Sequence, residues 1–477
     1  MSSKFDVEFQ ENKTLRQEFW DRIHGHKKSI LAHYYHQNIS RAYKNLIPSH
    51  SSVLEIGCGS GALLASLSPS IGVGVDFSHA AINKGRNLYP NIEFVLGDAH
   101  HLDVGSRIFD YIIISELVND VWDVQIVLQS LLQYCNPSTR VVFNFYSHLW
   151  NLPLKVARKF GFATPMLSQN WLTPGDLRNL LCISQFQNLS HWQEILLPIN
   201  IPLISYFANR YLAKVTPFNH LCLTNFVVAR PLLPKVDKMP TVSVIVAARN
   251  EAGHIDELIA RIPQMGAGTE IIFVEGNSTD DTYAVIEDRI RNQATCKLLK
   301  QPGKGKGDAV RAGFEAATGE ILMILDADIT VPPEDLPKFY ELIANAVGEF
   351  ANGVRLVYPM QNEAMRFFNL IGNKFFSWAF SYLLGQPIRD TLCGTKVLWK
   401  KDYERIKKGR SYFGDFDPFG DFDLLFGAAR LNLKIIEVPI RYRARSYGET
   451  NISRWSHGWL LLKMVAFAAR RIKFTWG

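Results

Sequence analysis

Three clusters in this sequence have residue types and spacings that could do chemistry. Asp326 and Asp328 flank one small residue at the end of the apolar run Ile321–Leu325. Two carboxylates so placed project oxygen ligands towards a divalent ion, which can bridge a diphosphate. Upstream, Glu55 stands two residues before Gly57, and glycines recur at Gly59 and Gly61. Such a turn brings backbone close to a cofactor without Cβ clashes. Asp76 ends the next apolar run, where an acid can accept both hydroxyls of a ribose, and Asp98 ends the one after, beside the place of an adenine ring. The third cluster, Gly303-Lys304-Gly305-Lys306-Gly307, is flexible, basic backbone suited to a diphosphate.

Further candidates follow apolar runs in the second half. Ala248, Asn250 and Glu251 close the run from Val242, where a base and ribose dock beyond the carboxyl ends of a sheet. Glu275 closes the next run, before Gly276-Asn277-Ser278-Thr279-Asp280-Asp281-Thr282, which offers a helix cap. A transfer to a hydroxyl needs a general base, and Asp421 and Asp423 are the candidates. Asp421 is preferred, because it occupies the turn before an apolar helix. With an already ionised phosphate acceptor, neither acid is needed as a base.

These residues need strands that end in loops, and the pattern supplies them. Short apolar runs alternate with helical stretches on both sides of the segment Ala229–Pro240, which holds three prolines. Alternation of this kind gives mostly parallel sheets covered by helices. The expectation is two α/β domains, residues 1–230 and 241–477, joined by a linker at 231–240. The chain of 477 residues, 47% hydrophobic and 12% aromatic, can bury two substantial cores and is not a disordered, collagen-like or coiled-coil sequence. Its six cysteines form no CxxC pair, which argues against a disulfide framework or structural zinc. His33 and His36, like His100 and His101, are assigned to no metal.

Glu55 to Gly61, with Asp76 and Asp98, resembles the class I S-adenosylmethionine-dependent methyltransferases over residues 45–150, and more loosely over 151–230. The resemblance implies a Rossmann-like sheet in which Gly57, Gly59 and Gly61 line S-adenosylmethionine, Asp76 holds its ribose and Asp98 lies near its adenine. It places Ile114–Asp120 where such enzymes meet the methyl acceptor, with Glu116 and Asn119 as contacts. Displacement at a sulfonium is driven by positioning and desolvation, so no dedicated acid–base pair is required.

The ordered series in the second half, including Asp390-Thr391-Leu392-Cys393-Gly394-Thr395-Lys396 and Arg445-Ser446-Tyr447-Gly448-Glu449-Thr450, resembles family 2 glycosyltransferases of the GT-A fold. The likeness is greatest to the dolichol- or undecaprenyl-phosphate sugar transferases and covers residues 240–460. It implies inverting transfer from a nucleotide sugar, with Asp326 and Asp328 around Mg²⁺ or Mn²⁺ and Glu251 and Glu275 at the nucleoside. Arg445 matches an arginine that meets acceptor or donor phosphate. Two departures are Asn451, where many relatives have Lys, and Thr330, where mannosyltransferases often place Gln.

The net charge of +7 is concentrated at the end of the chain. From Arg441 to Gly477 there are eight Lys or Arg residues against one acid, Glu449, interleaved with Trp455, Trp459 and Trp476. Such a tail suits an anionic membrane surface, or else packs as a helix on its own domain. Met365–Gly385 likewise reads as a core helix, with an interfacial helix as the alternative. The polar start and the lack of a long apolar stretch point to the cytoplasm, with peripheral contact at the inner membrane face. The expected function is bifunctional: sugar transfer to a polyprenyl-phosphate or glycan acceptor, and methylation in the same glycoconjugate pathway. The alternative keeps the sugar transfer and makes the first half a non-catalytic scaffold.

Overall fold

The computed structural model describes residues 4–24, 30–161, 163–233, 239–355, 367–412, 420–442 and 454–475, with backbone alone at some positions bordering the gaps. It forms two compact units, Met1–Pro234 with Phe474–Gly477, and Lys235–Lys473.

The described strands of the first unit are β1 (Ser52–Ile56), β2 (Ile71–Asp76), β3 (Glu93–Leu96), β4 (Tyr111–Ser115), β5 (Arg140–Tyr146), β6 (Phe186–Glu194) and β7 (Thr224–Pro231). They form one sheet in the order β3-β2-β1-β4-β5-β7-β6. β1 to β5 are parallel, and β7 runs antiparallel to both β5 and β6. The central strands are buried on both faces, as a parallel sheet under helices requires. In β4, Ile112 and Ile114 enter one core while Tyr111 and Ile113 enter the other, the period-two alternation of a strand. Strand order reverses between β1 and β4, which opens a crevice at their carboxyl ends.

The second unit repeats this plan with β8 (Val242–Ala248), β9 (Thr269–Glu275), β10 (Cys296–Lys300), β11 (Ile321–Asp326), β12 (Phe350–Val354), β13 (Lys396–Trp399) and β14 (Ile435–Pro439). Their order is β10-β9-β8-β11-β13-β12-β14. β8 pairs in parallel with β9 and β11, so the crevice lies between β8 and β11; β13 is antiparallel to β11. Leu322 and Ile324 face one core, and Met323 and Leu325 the other.

The C-terminal helix Arg454–Ala468 buries Leu461, Met464 and Ala468 in the core of the second unit and leaves Trp459 and Leu462 exposed. The helix Phe367–Leu384 does the same, burying Phe380 and Leu383 while Phe375 and Trp378 remain exposed. Both helices are therefore core helices with apolar outer positions. No helix among the described residues is long and apolar enough to cross a membrane.

Candidate active sites

β1 ends in a turn that favours glycine. Gly57, Gly59 and Gly61 stand at φ 71°, 53° and 75°, a region that costs other residues energy. The turn is fastened to β2, since the Gly57 and Cys58 amides both donate to the Val75 carbonyl, at 2.8 and 3.0 Å. A Cβ on Gly61 would come within 2.5 Å of the Phe94 ring, and one on Gly57 within 2.9 Å of Leu117 Cδ1. Glu55, buried behind the turn, accepts from the Leu64 amide at 3.1 Å.

Asp76 closes β2 beside this turn. Its two carboxylate oxygens accept from the Gly59 amide at 2.8 Å and the Ser78 amide at 2.9 Å. Burial raises its pKa, and these two amides oppose the shift. Asp98 lies after β3 and is engaged by Lys13 Nζ and His100 Nδ1, each at 2.8 Å. Burial would raise its pKa, but His100 and Lys13 outweigh burial and hold it well below the usual range.

Lys13 belongs to an element the sequence reading missed, the helix Lys4–His24. Gln17 donates to the Phe77 carbonyl at 2.9 Å, Trp20 Nε1 to Asp120 at 2.7 Å, and Asp21 accepts from the Ala80 amide at 3.1 Å. One helix thus touches the loops after β2, β3 and β4, all at the carboxyl end of the sheet. Its polar composition gave little signal, because every partner is distant in sequence.

Glu116 follows β4 with a left-handed φ of 62°, an uncommon conformation for a glutamate. Its Oε2 accepts from the Tyr146 hydroxyl at 2.8 Å, while Oε1 is buried and has no hydrogen-bond partner among the described residues. The hydroxyls of Tyr35 and Tyr146 are pushed well up, by burial first and then by the Glu116 charge. Leu117, the residue that touches Gly57, is the next in the chain, so this carboxylate borders the glycine turn. Asn119 is fully buried, donating to the Asn170 carbonyl at 2.8 Å and accepting from the Tyr146 amide at 3.1 Å; it positions the loop.

In the second unit, Asp326 ends β11 and pairs with Lys306 Nζ. Burial would raise the Asp326 pKa, but Lys306, with Lys396 and Arg355 behind it, holds the carboxyl below its usual range. Asp328 Oδ1 accepts from the Thr330 hydroxyl at 2.7 Å and its amide at 3.1 Å, so Thr330 orients the second acid. Gly394 packs against this pair: an added Cβ there would collide with Asp326 Oδ2 and stand 2.5 Å from Lys306 Nζ.

Two further loops flank the aspartates. Asn250, after β8, accepts from the Thr279 amide at 2.8 Å, and its own amide donates to Ser278 Oγ at 3.0 Å, which ties this loop to the one after β9. Buried Glu251 accepts from His254 Nδ1 at 2.8 Å, and buried Glu275 accepts from the Ser278 amide at 2.5 Å. Ala248 is buried, and its carbonyl accepts from the Gly276 amide at 2.9 Å. In the basic loop Lys304 is exposed, whereas Lys306 reaches the aspartate. Behind Gly394, buried Asp390 takes a bidentate pair from Arg355, 2.7 Å from Nε and 2.9 Å from Nη2, an arrangement the sequence did not reveal.

The structure therefore pairs Asp326 with Lys306, sets Asp328 in the loop after β11, and places Ala248, Asn250, Glu251 and Glu275 at the ends of β8 and β9. Asp423 is buried and accepts from Arg410 Nε at 2.8 Å. Asp421 begins the helix Asp421–Arg430, but its side chain, like the whole of Arg445, lies outside the described residues. Among the described residues no three His, Cys, Asp or Glu side chains converge as metal ligands.

Residues 28–191 match the family Methyltransferase domain, and residues 243–403 match Glycosyl transferase family 2. The chain joins a methyltransferase domain to a family 2 glycosyl transferase domain. It is 27% identical over 246 residues to a dolichol-phosphate mannosyltransferase of Pyrococcus furiosus, which covers 49% of this chain and 67% of that protein. It is 28% identical over 224 residues to a dolichyl-phosphate hexose transferase of Haloferax volcanii, with 47% and 91% covered. Glucosyl-3-phosphoglycerate synthase of Mycobacterium tuberculosis, solved with Mn²⁺, UDP and glucosyl-3-phosphoglycerate, matches at 20% identity and a TM-score of 0.37, covering 49% of this chain and 80% of that one. The glycosyl transferase domain thus has the Asp326 crevice, and the methyltransferase domain the glycine turn.

Proposed function

We propose that the glycosyl transferase domain moves a sugar from a nucleotide sugar to a polyprenyl phosphate. The methyltransferase domain, on this reading, methylates a hydroxyl of the resulting glycolipid. The observation that carries the first part is the pairing of Asp326, at the end of β11, with Lys306, with Gly394 packed against the pair and Asp328 two residues further on. Paired carboxylate oxygens are the donor set that Mg²⁺ or Mn²⁺ prefers. When bound, such an ion would neutralise charge on the departing diphosphate. Lys306 adds a cation beside the same phosphates, Asn250 fixes the neighbouring loop, and Glu251 and Glu275 face the nucleoside. The names of the matched relatives support a lipid-phosphate acceptor, whose ionised oxygen attacks without a base. Asp423, already paired with Arg410, then has an orienting role, and Arg445 meets phosphate.

For the other domain, glycines at positive φ and an acid at the end of β2 fit S-adenosylmethionine, which supplies an electrophilic methyl when bound. Asp76 would hold the ribose, Asp98 would border the adenine, and the Glu116 carboxylate would accept the proton of the attacking hydroxyl through Oε1. Covalent fusion keeps the two sites at high effective concentration for one glycolipid. The reading places the protein at the cytoplasmic face of the membrane.

The test incubates the full chain with MnCl₂, undecaprenyl phosphate, a panel of nucleotide sugars and methyl-labelled S-adenosylmethionine. Sugar label should enter the lipid and vanish with Asp328→Ala. Methyl label should appear only after sugar label. No lipid label with any donor would refute the sugar transfer; sugar label without methyl label would refute the second step alone.

A further inference from the structure

The methyltransferase domain has an apolar surface on its outside. Leu149, Leu152, Val156 and Phe160 recur at helical spacing along the helix Asn151–Lys159 and its flanks, and are 56%, 71%, 49% and 67% exposed. The opposite side of this segment is apolar too, since Trp150 and Leu154 pack on the core. A surface helix ordinarily turns polar residues outwards. Lys155 and Lys159 are the charged residues beside the exposed stripe.

A second segment is inverted outright. The connection between β6 and β7 runs over residues 195–223, where hairpin loops ordinarily have about 2–5 residues. Its helix Ile204–Arg210 buries Ser205 and Asn209 and exposes Ile204 and Phe207. The inward polar groups are satisfied: Asn209 bonds both the amide and carbonyl of Leu197 at 2.8 Å, and Ser205 Oγ donates to the Ile199 carbonyl at 2.6 Å. Leu203, 84% exposed, stands at φ 64°, a conformation leucine rarely adopts. The loop is built to turn its apolar side chains outwards.

The two segments adjoin. Trp150 Nε1 donates to the carbonyl of Leu221, itself 50% exposed, at 2.9 Å. Both leave the sheet at the carboxyl ends of β5 and β6, which run in the same direction because each pairs antiparallel with β7. That is the end that holds the glycine turn and Glu116. No Asp or Glu occurs between Asp123 and Asp176, or between Glu194 and Asp237, while Lys155, Arg158, Lys159, Arg210 and Lys214 fall within these stretches. Lys214 is nearly buried in an ion pair with Glu194, but exposed apolar side chains beside the exposed Lys155 and Lys159 suit the boundary of an anionic bilayer.

We infer that the methyltransferase domain seats on an anionic lipid surface through residues 149–160 and 203–221. This contact does not depend on methyl transfer. It brings the acceptor crevice to the membrane, so the methyl acceptor is lipid-borne.

The test uses the full chain carrying an environment-sensitive dye at Leu203→Cys, with vesicles of phosphatidylcholine alone or of equal parts phosphatidylcholine and phosphatidylglycerol. The expected result is a blue shift of the dye on the anionic vesicles alone. The double variant Leu152→Glu/Phe207→Glu, with near-ultraviolet circular dichroism as a fold control, should bind them at least about tenfold more weakly. Vesicle binding with no dye shift, and unchanged by the double variant, would assign the contact to another part of the chain and overturn the inference. A dye shift that depends on protein concentration without vesicles, with a dimer in sedimentation, would make a second copy the occupant and overturn it equally.

Discussion

Gly394→Ala is the sharpest probe of the glycosyl transferase crevice, because it adds one methyl group and removes nothing. Gly394 lies outside the left-handed region, so alanine suits its backbone and the whole effect comes from what the new atom meets. That atom would collide with Asp326 Oδ2 and stand 2.5 Å from Lys306 Nζ. An ordinary carbon–oxygen contact needs about 3.5 Å, so the carboxylate must move by about 1 Å or more, or the loop must back away. Overpacking of this size costs about 1–3 kcal/mol of stability. A displacement of about 1 Å in a group that positions a reacting diphosphate can cost about 100-fold in rate. Urea unfolding measures the first effect, and sugar transfer with a manganese titration the second. Gly268→Ala is the control, since nothing lies within 4 Å of its added Cβ. Wild-type transfer by Gly394→Ala, with the control also unchanged, would refute the claim that this carboxylate has to stay where it is.

Asp76→Ala removes the acceptor of the Gly59 and Ser78 amides and should weaken S-adenosylmethionine binding at least about tenfold in calorimetry, as the loss of a charge-assisted contact predicts. Glu116→Gln keeps the size of the side chain but cannot take a proton; it should lower methyl transfer about 100-fold or more while cofactor binding stays intact. Asp423→Asn should leave transfer to a lipid phosphate within about tenfold of wild type, because an ionised acceptor needs no general base; a loss of several orders of magnitude would point to a hydroxyl acceptor instead. Asp390→Ala strands the buried Arg355 guanidinium and should cost about 3–5 kcal/mol in urea unfolding. Burial opposes ionisation of Asp390, but Arg355 outweighs it and holds the folded-state pKa below the usual value. The pair's contribution is therefore present above about pH 4, the unfolded-state value, and fades as pH falls towards the folded-state pKa. The stability gap between wild type and variant should narrow over that acid range and stay level near neutrality.

What could be read in advance followed from local constraint, and what could not depended on distant partners. Runs such as Tyr111–Ser115 and Ile321–Asp326 are apolar because both faces of a parallel sheet are covered, and the polar residue that ends each run marks the loop where ligands dock. Gly57, Gly59 and Gly61 could be read for the same reason, since their spacing encodes a turn of left-handed residues that glycine adopts at least cost. The role of Gly394 could not, because its need for a missing Cβ arises from Asp326 and Lys306, far away in the chain. The pairing of Lys13 with Asp98 and of Arg355 with Asp390 was hidden likewise: a lone lysine or arginine has no period, and only the folded chain brings its acid to it. The exposed apolar surface shows the limit most clearly. Val156 and Phe207 have the composition of core residues, and Ser205 and Asn209 that of surface residues, yet the fold assigns them the opposite positions. Pattern reading takes apolar to mean inside, so it fails where the solvent met by the outer face is itself apolar. A helix that turns Ile204 and Phe207 outwards and Ser205 and Asn209 inwards, with those two polar side chains satisfied, is shaped by what lies outside the protein rather than by its own core.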